Sequence, residues 1–126
     1  MKTTQIHENT AIIITADHGV ALPRAKQFLY DEGLRIPLII RWPAGVRPGM
    51  VSDELVSNVD LVPTILALAG LPLPQNLQGR NILDPASPPR RFVFAGRDKM
   101  DSTHDAMRAV RSRDFKYILN LMPERP

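Results

Sequence analysis

The stretch Ala11-Ile12-Ile13-Ile14-Thr15-Ala16-Asp17-His18-Gly19 decides the fold, because an apolar run ends directly in two polar side chains. A run of this length predicts a buried β-strand over residues 11–15. The strands of an open α/β sheet deliver polar groups to a site at their carboxyl edge. Asp17 and His18 therefore predict part of a metal site. They supply only half of one, because a divalent ion that prefers oxygen takes about six or more ligands and the next carboxylate along the chain is Asp31.

Outward from this strand, the pattern continues as that of an α/β fold. Residues 37–42 form a second apolar run, and we expect a buried strand there, adjacent to the first. Residues 50–57 predict a third, more amphipathic strand. Apolar side chains then recur at helical spacing over residues 61–69, with Asp60 or Asn58 as the N-cap, so we expect a helix. Asp60 is thus interpreted as a helix cap and not as a metal ligand.

The C-terminal part of the chain has a different composition. Residues 72–90 are rich in Pro, Gln, Asn and Gly, which is typical of a long surface connection. Residues 92–95 predict a strand. Residues 107–111 and 115–119 alternate apolar with basic side chains, as in an antiparallel β-hairpin with one solvated basic face. The expected division is residues 1–71, residues 72–90 and residues 91–126.

Composition excludes several classes of protein. The chain has 126 residues, of which 44% are hydrophobic, so it has the bulk for a core. Its apolar runs are far shorter than the roughly 18 residues that span a bilayer, so we expect no membrane partner. The absence of Cys excludes disulfides, thiolate metal sites and a cysteine nucleophile. A formal net charge of +3 favours a small sulfated or phosphorylated ligand, and it is too weak to indicate nucleic acid.

Three segments, in this order, resemble the C-terminal part of sulfatases, which belong to the alkaline phosphatase-like superfamily. They are residues 10–19, residues 26–43 and residues 59–70, the last reading Val-Asp-Leu-Val-Pro-Thr-Ile-Leu-Ala-Leu-Ala-Gly. Residues 107–121 are similar to the small C-terminal sheet of that family. The residues that look most like the heparan N-sulfatase (N-sulfoglucosamine sulfohydrolase) branch are Pro23, Lys26, Leu29, Tyr30, Asn120 and Leu121.

The resemblance implies an α/β fold: the C-terminal part of the sulfatase catalytic sheet-and-helix domain over residues 1–71, the Pro-rich connection, and a small antiparallel sheet. It implies that Asp17 and His18 bind a metal ion, calcium in this family. His18 stands where many sulfatases have Asn, which leaves the identity of the metal open because calcium prefers oxygen. His18 would lie beside the nucleophile, and Lys26 would contact the sulfate; a solvated surface position is the alternative for Lys26.

Two further residues, Asp98 and His104, are candidates for substrate binding. With Arg97 they are expected in a polar loop before the hairpin, where substrate-selecting groups of this family often lie. Ordinary solvation of a loop is the alternative.

One family feature has no counterpart before Asp17. Sulfatases attack with a formylglycine made from Cys or Ser in a Cys/Ser-x-Pro-x-Arg motif, and they use two earlier Asp ligands. The string Ser87-Pro88-Pro89-Arg90-Arg91 fits the motif, but it follows Asp17 and is best explained as coincidence in a linker. We therefore expect a fragment that is inactive alone, with the formylglycine in a missing N-terminal part.

The resulting hypothesis is a sulfatase fragment that acts on sulfate ester or N-sulfate groups of a sulfated sugar. A phosphodiesterase or phosphonate hydrolase of the same superfamily is one alternative. A non-catalytic domain that binds anionic sugars is another, and its basic face would comprise Arg108, Arg111, Arg113 and Lys116. Self-association through exposed sheet edges is expected. The family suggests a periplasmic, secreted or lysosomal location, among which the sequence does not choose.

Overall fold

The structure is a computed structural model that describes residues 6–124. It is a mixed α/β chain whose elements are β1 (Ile12–Thr15), α1 (Asp31–Leu34), β2 (Leu38–Arg41), α2 (Leu61–Leu68), β3 (Val93–Met100), β4 (Thr103–Arg111) and β5 (Lys116–Asn120). The chain forms two compact units. The first contains Ile40–Arg91 with the residues up to Ile13, and the second contains Ile14–Ile39 with the residues from Phe92 onwards. None of the helices within residues 6–124 has the length and apolarity needed to cross a bilayer.

Strands β1 and β2 form a two-stranded sheet, so the predicted adjacency of the two apolar runs is confirmed. The predicted burial is wrong for the described chain. Ile14 is 54% exposed and Ile39 is 58% exposed. Apolar residues on both faces of a strand are typical of a sheet covered on both sides, and within residues 6–124 no further strand joins this pair.

The predicted helix is present in the first unit as α2, and its start is fixed by a buried carboxylate. A 3₁₀ turn, Asn58–Asp60, leads into the helix, and a capping box joins Ser57 to Asp60. The Asp60 carboxylate accepts a hydrogen bond from the Ser57 backbone amide at 2.9 Å. Asp60 is thus the N3 partner of Ser57 in the capping box and makes no side-chain cap bond to α2 itself, which corrects the expectation that Asp60 or Asn58 is the N-cap. The same carboxylate is fully buried, accepts a bond from the Arg80 amide and pairs with Arg90.

The predicted strand over residues 50–57 is wrong, because the structure has no regular element there. Val51 is 90% exposed, and the amide of Glu54 bonds to the hydroxyl of Ser52. Such a local bond gives the backbone a partner other than a neighbouring strand. Residues 71–91 contain neither helix nor strand.

The second unit is built on an antiparallel sheet with the strand order β3-β4-β5. Arg111 of β4 lies opposite Val93 of β3 and Lys116 of β5, so the predicted hairpin is confirmed. Strand β3 is longer than expected and continues to a tight turn in which Asp101 adopts a left-handed φ of 53°. Aspartate tolerates that conformation better than most residues, which explains why the chain reverses there.

This longer hairpin corrects one expectation. Arg97 and Asp98 lie on β3 and His104 lies on β4, so the predicted polar loop does not exist. The pairing between the strands shifts register between Arg97 and Lys99. Polar residues in a strand with such an irregularity resemble a loop in sequence, because the alternation of polar and apolar side chains is interrupted.

Candidate functional site

The three candidates Asp17, His18 and Lys26 all lie in the second unit, in the irregular segment that follows β1. The side chain of Asp17 is 90% exposed and that of His18 is 39% exposed. Lys26 is exposed as well. The segment therefore presents the side chains of Asp17 and His18 just after the strand, and their role as part of a metal site stays a prediction.

The imidazole of His18 has a defined tautomer. Its Nδ1 lies 2.6 Å from the carbonyl oxygen of Gly19. A carbonyl oxygen can only accept a hydrogen bond, so we assign the proton to Nδ1. In the neutral ring, Nε2 then carries a lone pair, and it lies 3.7 Å from Oδ1 of Asp17. A lone pair facing a carboxylate at this distance can share a cation with it, and a backbone bond that fixes the far nitrogen is usual for metal-binding histidines.

Two glycines determine the path of the backbone at His18. The amide of Gly19 bonds to the carbonyl of Gly33 at 3.1 Å, and the amide of Val20 bonds to the carbonyl of Glu32 at 3.1 Å. A Cβ on Gly19 would lie 2.0 Å from the Glu32 oxygen, and one on Gly33 would lie 2.2 Å from two further carbonyl oxygens. The close backbone approach at Asp17-His18-Gly19 thus needs a second glycine, Gly33, 14 residues later. The pair of glycines is a sequence feature that the sequence analysis missed.

Lys26 is tied to the same backbone. Its amide donates to the carbonyl of Val20 at 3.1 Å, so the chain from residue 20 to residue 26 forms a closed loop. Arg24 and Gln27, on either side, have left-handed φ angles of 62° and 71°. The buried side chains of Ala25 and Leu29 anchor the loop. The backbone of Lys26 is therefore held in an ordered loop that begins two residues after His18, while its ammonium group remains exposed.

A cavity of about 310 Å³ adjoins this loop, and none of the three candidates lines it. Its wall includes Val20, Pro23 and Tyr30, and the guanidinium of Arg24 lies 5.4 Å from the centre of the Tyr30 ring. The predicted site residues thus lie beside the cavity rather than in its wall.

The other two candidates lie on the hairpin. Asp98 accepts a hydrogen bond from Arg108 at 2.7 Å, and both side chains are largely exposed. His104 lies opposite Lys99 and is exposed. Asp98 lies at the register shift between Arg97 and Lys99, and such irregularities often redirect a side chain. The role of Asp98 and His104 in substrate binding stays a prediction.

The expected solvated basic face is wrong at two of its positions. Nη1 of Arg111 lies 3.1 Å from both carboxylate oxygens of Asp31, and Nζ of Lys116 lies 3.0 Å from Oδ1. The hydrogen bond from Lys116 lowers the pKa of Asp31, partial burial opposes that shift, and the charges of Lys116, Arg111 and Arg35 add to the lowering. These two cations hold α1 against the sheet, and the single charge of Asp31 offsets one of their two positive charges, so they offer less charge to an anionic sugar than a fully solvated face would.

Within residues 6–124, no cluster of three or more His, Cys, Asp or Glu side chains could hold a metal ion. Asp17 and His18 form a donor pair of a carboxylate oxygen and an imidazole nitrogen. Both are chemically suited to a divalent ion, but they are too few for calcium, which takes about six to eight oxygen ligands. The pair therefore fits a metal ion only if other residues supply the remaining ligands.

The family model for the C-terminal region of N-sulphoglucosamine sulphohydrolase matches residues 19–119. The chain belongs to this family of sulfatases. The expectation of a C-terminal sulfatase portion with an α/β fold is thereby confirmed.

Relatives and a solved structure agree with this family. The sulfatase chain is 40% identical over 118 residues to an ulvan-active sulfatase of Formosa agariphila, covering 93% of this chain and 20% of the relative. It is 32% identical over 124 residues to N-acetylglucosamine-6-O-sulfatase of Bacteroides thetaiotaomicron, covering 88% and 22%. The structure of BT4656 in complex with its substrate D-glucosamine-2-N,6-O-disulfate superimposes with a TM-score of 0.78 at 32% identity, covering 88% of this chain and 25% of that one. The chain thus spans about a quarter or less of the length of these proteins.

The string Ser87 to Arg91 has a structural role in this sulfatase chain. Arg90 pairs with the buried carboxylate of Asp60, and Nη1 of Arg80 bonds to the Ser87 hydroxyl at 3.3 Å and to the Pro88 carbonyl. The serine of the string is thus a partner of Arg80, whereas Arg90 stands at a variable position of the motif, whose arginine is Arg91. The interpretation of the motif as coincidence stays a prediction.

Proposed function

We propose that the protein carrying this chain hydrolyses sulfate ester or N-sulfate groups on a sulfated sugar. The observation that supports it best is the placement of Asp17 and His18 just after β1, within a member of a sulfatase family. Two similar proteins act on or bind such compounds by name, namely an N-acetylglucosamine-6-O-sulfatase and a protein solved with a glucosamine disulfate as its substrate. The positive charge of the chain suits an anionic substrate.

Asp17 and His18 are proposed to contribute two ligands to a divalent ion, calcium by analogy with the family. In the neutral form of the ring, the bond from Nδ1 of His18 to the Gly19 carbonyl places the lone pair on Nε2, which can then donate it to the ion. A divalent ion in such a site would act as a Lewis acid that withdraws charge from the sulfate oxygens. Lys26 is proposed to hold a sulfate oxygen with its ammonium group and to stabilise the charge that develops on the leaving group.

The remaining ligands and the formylglycine are proposed to come from residues outside this chain. The chain has no Cys, and the serine of its single Ser-x-Pro-x-Arg string bonds to Arg80. A chain with two ligands and no nucleophile binds and orients one side of the sulfate at most. We therefore expect the 126 residues alone to release no sulfate.

The test measures sulfate release from D-glucosamine-2-N,6-O-disulfate and from an aryl sulfate by the complete natural polypeptide that carries these residues. Asp17→Asn and Lys26→Gln should each lower kcat/KM by about 100-fold or more, the size expected for removing one group that stabilises transition-state charge. Asp114→Asn and Lys99→Gln are matched controls with the same chemical change at exposed positions, and they should retain activity.

Two results would contradict the proposal. Faster turnover of a phosphate ester than of either sulfate would assign the chain to the phosphodiesterase alternative. Sulfate release by the 126 residues alone that is lost in Ser87→Ala would show that Ser87 is a nucleophile precursor, and that the missing groups are not needed.

A further inference from the structure

Arg97 is an unusual residue of the second unit, because it is a cation buried inside the sheet region. Its side chain is only 7% exposed, and it pairs with Asp105, whose side chain is 17% exposed. Its Nη2 also approaches the sulfur of Met107 at 3.2 Å. The guanidinium lies over the ring of Phe28, 4.8 Å from the ring centre. Burying an arginine is costly unless its donors are satisfied, and its Nε has no partner among the described residues.

The contacts that Arg97 makes outside the hairpin converge on one short piece of backbone. Its Nη1 donates to the carbonyl oxygen of Gln27 at 2.9 Å, and its plane covers the next side chain, Phe28. Gln27 is held in the left-handed region at a φ of 71°. A residue that is not glycine pays about 1–2 kcal/mol for this conformation, so the surrounding contacts must maintain it. A second bond, from the side-chain Nε2 of Gln27 to Oδ1 of Asp101 at 3.1 Å, is made by the same residue.

We propose that Arg97 is a positioning residue for Lys26, and this inference rests on the proposed contact between Lys26 and the sulfate. Gln27 directly follows Lys26, and the peptide between them sets the direction in which the lysine side chain leaves the backbone. Arg97, oriented by Asp105, fixes the backbone carbonyl group of Gln27. The left-handed conformation of Gln27 is then maintained, and the ammonium group of Lys26 is held in one position rather than sampling several.

The chemistry of the side chain supports positioning over bulk stability. A buried ion pair is weak evidence for stability, since apolar replacements of equal size are often neutral or better. The planar fork of arginine, by contrast, can bond to the Asp105 carboxylate and to the Gln27 carbonyl at once while stacking on Phe28, whereas an ammonium group cannot do all three. Loss of about 1 Å of precision at a catalytic group costs up to about 100-fold in rate.

The kinetic test is a double-mutant cycle of Arg97→Lys and Lys26→Gln in the complete natural polypeptide. Arg97→Lys alone should lower kcat by about 10-fold or more and change KM little, because the ground-state charge is kept and the transition-state contact is misplaced. In the Lys26→Gln background the same change should have almost no further effect on kcat, since there is no ammonium group left to position. Arg113→Lys, an exposed arginine in the turn between β4 and β5, is the matched control and should retain activity.

A second measurement does not depend on catalysis. In limited trypsin digestion of the 126-residue chain, we expect cleavage after Lys26 to require the backbone at Gln27 to leave its left-handed turn. Arg97→Lys and Asp105→Asn should each speed cleavage after Lys26 by about 10-fold relative to cleavage after Arg113, if the clamp holds this bond against local opening. The circular dichroism of each variant checks that the sheet is intact.

The outcomes separate the two proposals. If Lys26→Gln leaves activity unchanged, the proposed role of Lys26 fails, whatever Arg97 does. If Lys26→Gln is damaging but the effects of the two substitutions simply multiply, Arg97 does not act through Lys26 and the inference is overturned. Cleavage after Lys26 that is equal in wild type and in Arg97→Lys would also overturn it.

Discussion

Gly33→Ala is expected to be among the most damaging single substitutions in the second unit. The added Cβ would lie 2.2 Å from the carbonyl oxygens of both Ala25 and Phe28, about 1 Å inside an ordinary contact. The backbone cannot yield freely, because Gly33 accepts a bond from the Gly19 amide and donates one to Tyr30, both at 3.1 Å. Overpacking costs about 1–3 kcal/mol and each disrupted hydrogen bond about 1 kcal/mol, so the expected loss is about 3–5 kcal/mol.

The assay is urea unfolding of the 126-residue chain, followed by tyrosine absorbance. Both tyrosines, Tyr30 and Tyr117, lie in the same unit as Gly33, so the signal reports that unit. Gly96→Ala is the matched control: its Cβ would meet only the side chain of Arg108 at 3.5 Å, and it should stabilise the strand by about 0.5–1 kcal/mol. Equal midpoints for Gly33→Ala and Gly96→Ala would refute the close approach of Gly33 to the loop that carries Lys26.

Three further predictions concern charge and edges. The hydrogen bond from Lys116 lowers the pKa of Asp31. The stabilising contribution of the Asp31 carboxylate is therefore present above its unfolded-state pKa of about 3.9 and is lost as pH falls through its lower folded-state pKa. Asp31→Asn should accordingly flatten the fall of the urea midpoint below about pH 5. Asp60→Asn, which breaks a buried ion pair, should cost about 3–5 kcal/mol by tryptophan-monitored unfolding, whereas the exposed Glu54→Gln should cost less than about 1 kcal/mol. Because β3 and β5 are edge strands and Tyr117 is 63% exposed, sedimentation should show self-association that Tyr117→Lys reduces; a monomer at all concentrations would contradict this.

The periodicity of the sequence predicted those helices and strands that are determined by residues near them in the chain. The helix α2 follows from apolar spacing and the Ser57–Asp60 cap, and the hairpin β4–β5 follows from alternation around a short polar turn. The strand expected at residues 50–57 has a suitable pattern, but a strand needs a partner, and partners are not encoded in the segment itself. The burial expected for β1 and β2 failed for the same reason, since burial depends on what covers a strand.

The candidate site divides in the same way. The position of Asp17 and His18 just after a strand could be predicted from the apolar run before them, whereas the backbone bonds from Gly19 and Val20 to Gly33 and Glu32 could not. The tautomer of His18 depends on one carbonyl oxygen and could not be inferred from sequence. Arg97 was expected in a polar loop, because nothing in the sequence near residue 97 indicates that Gln27 and Asp105 enclose it.

The positions of the basic residues suggest what the C-terminal hairpin does for the site. An alternating basic strand usually indicates a solvated face, yet Arg111 and Lys116 hold Asp31 from 80 and 85 residues away, and Arg97 holds Gln27 from 70 residues away. All three contacts end on the segment that follows β1, and the backbone bonds between Gly19 and Gly33 close that segment on itself. A segment with two left-handed residues and few buried side chains gains little order from its own packing. The hairpin supplies that order through its cations, so losing β5 should loosen the segment that carries Lys26 even though β5 contributes none of the three candidate residues.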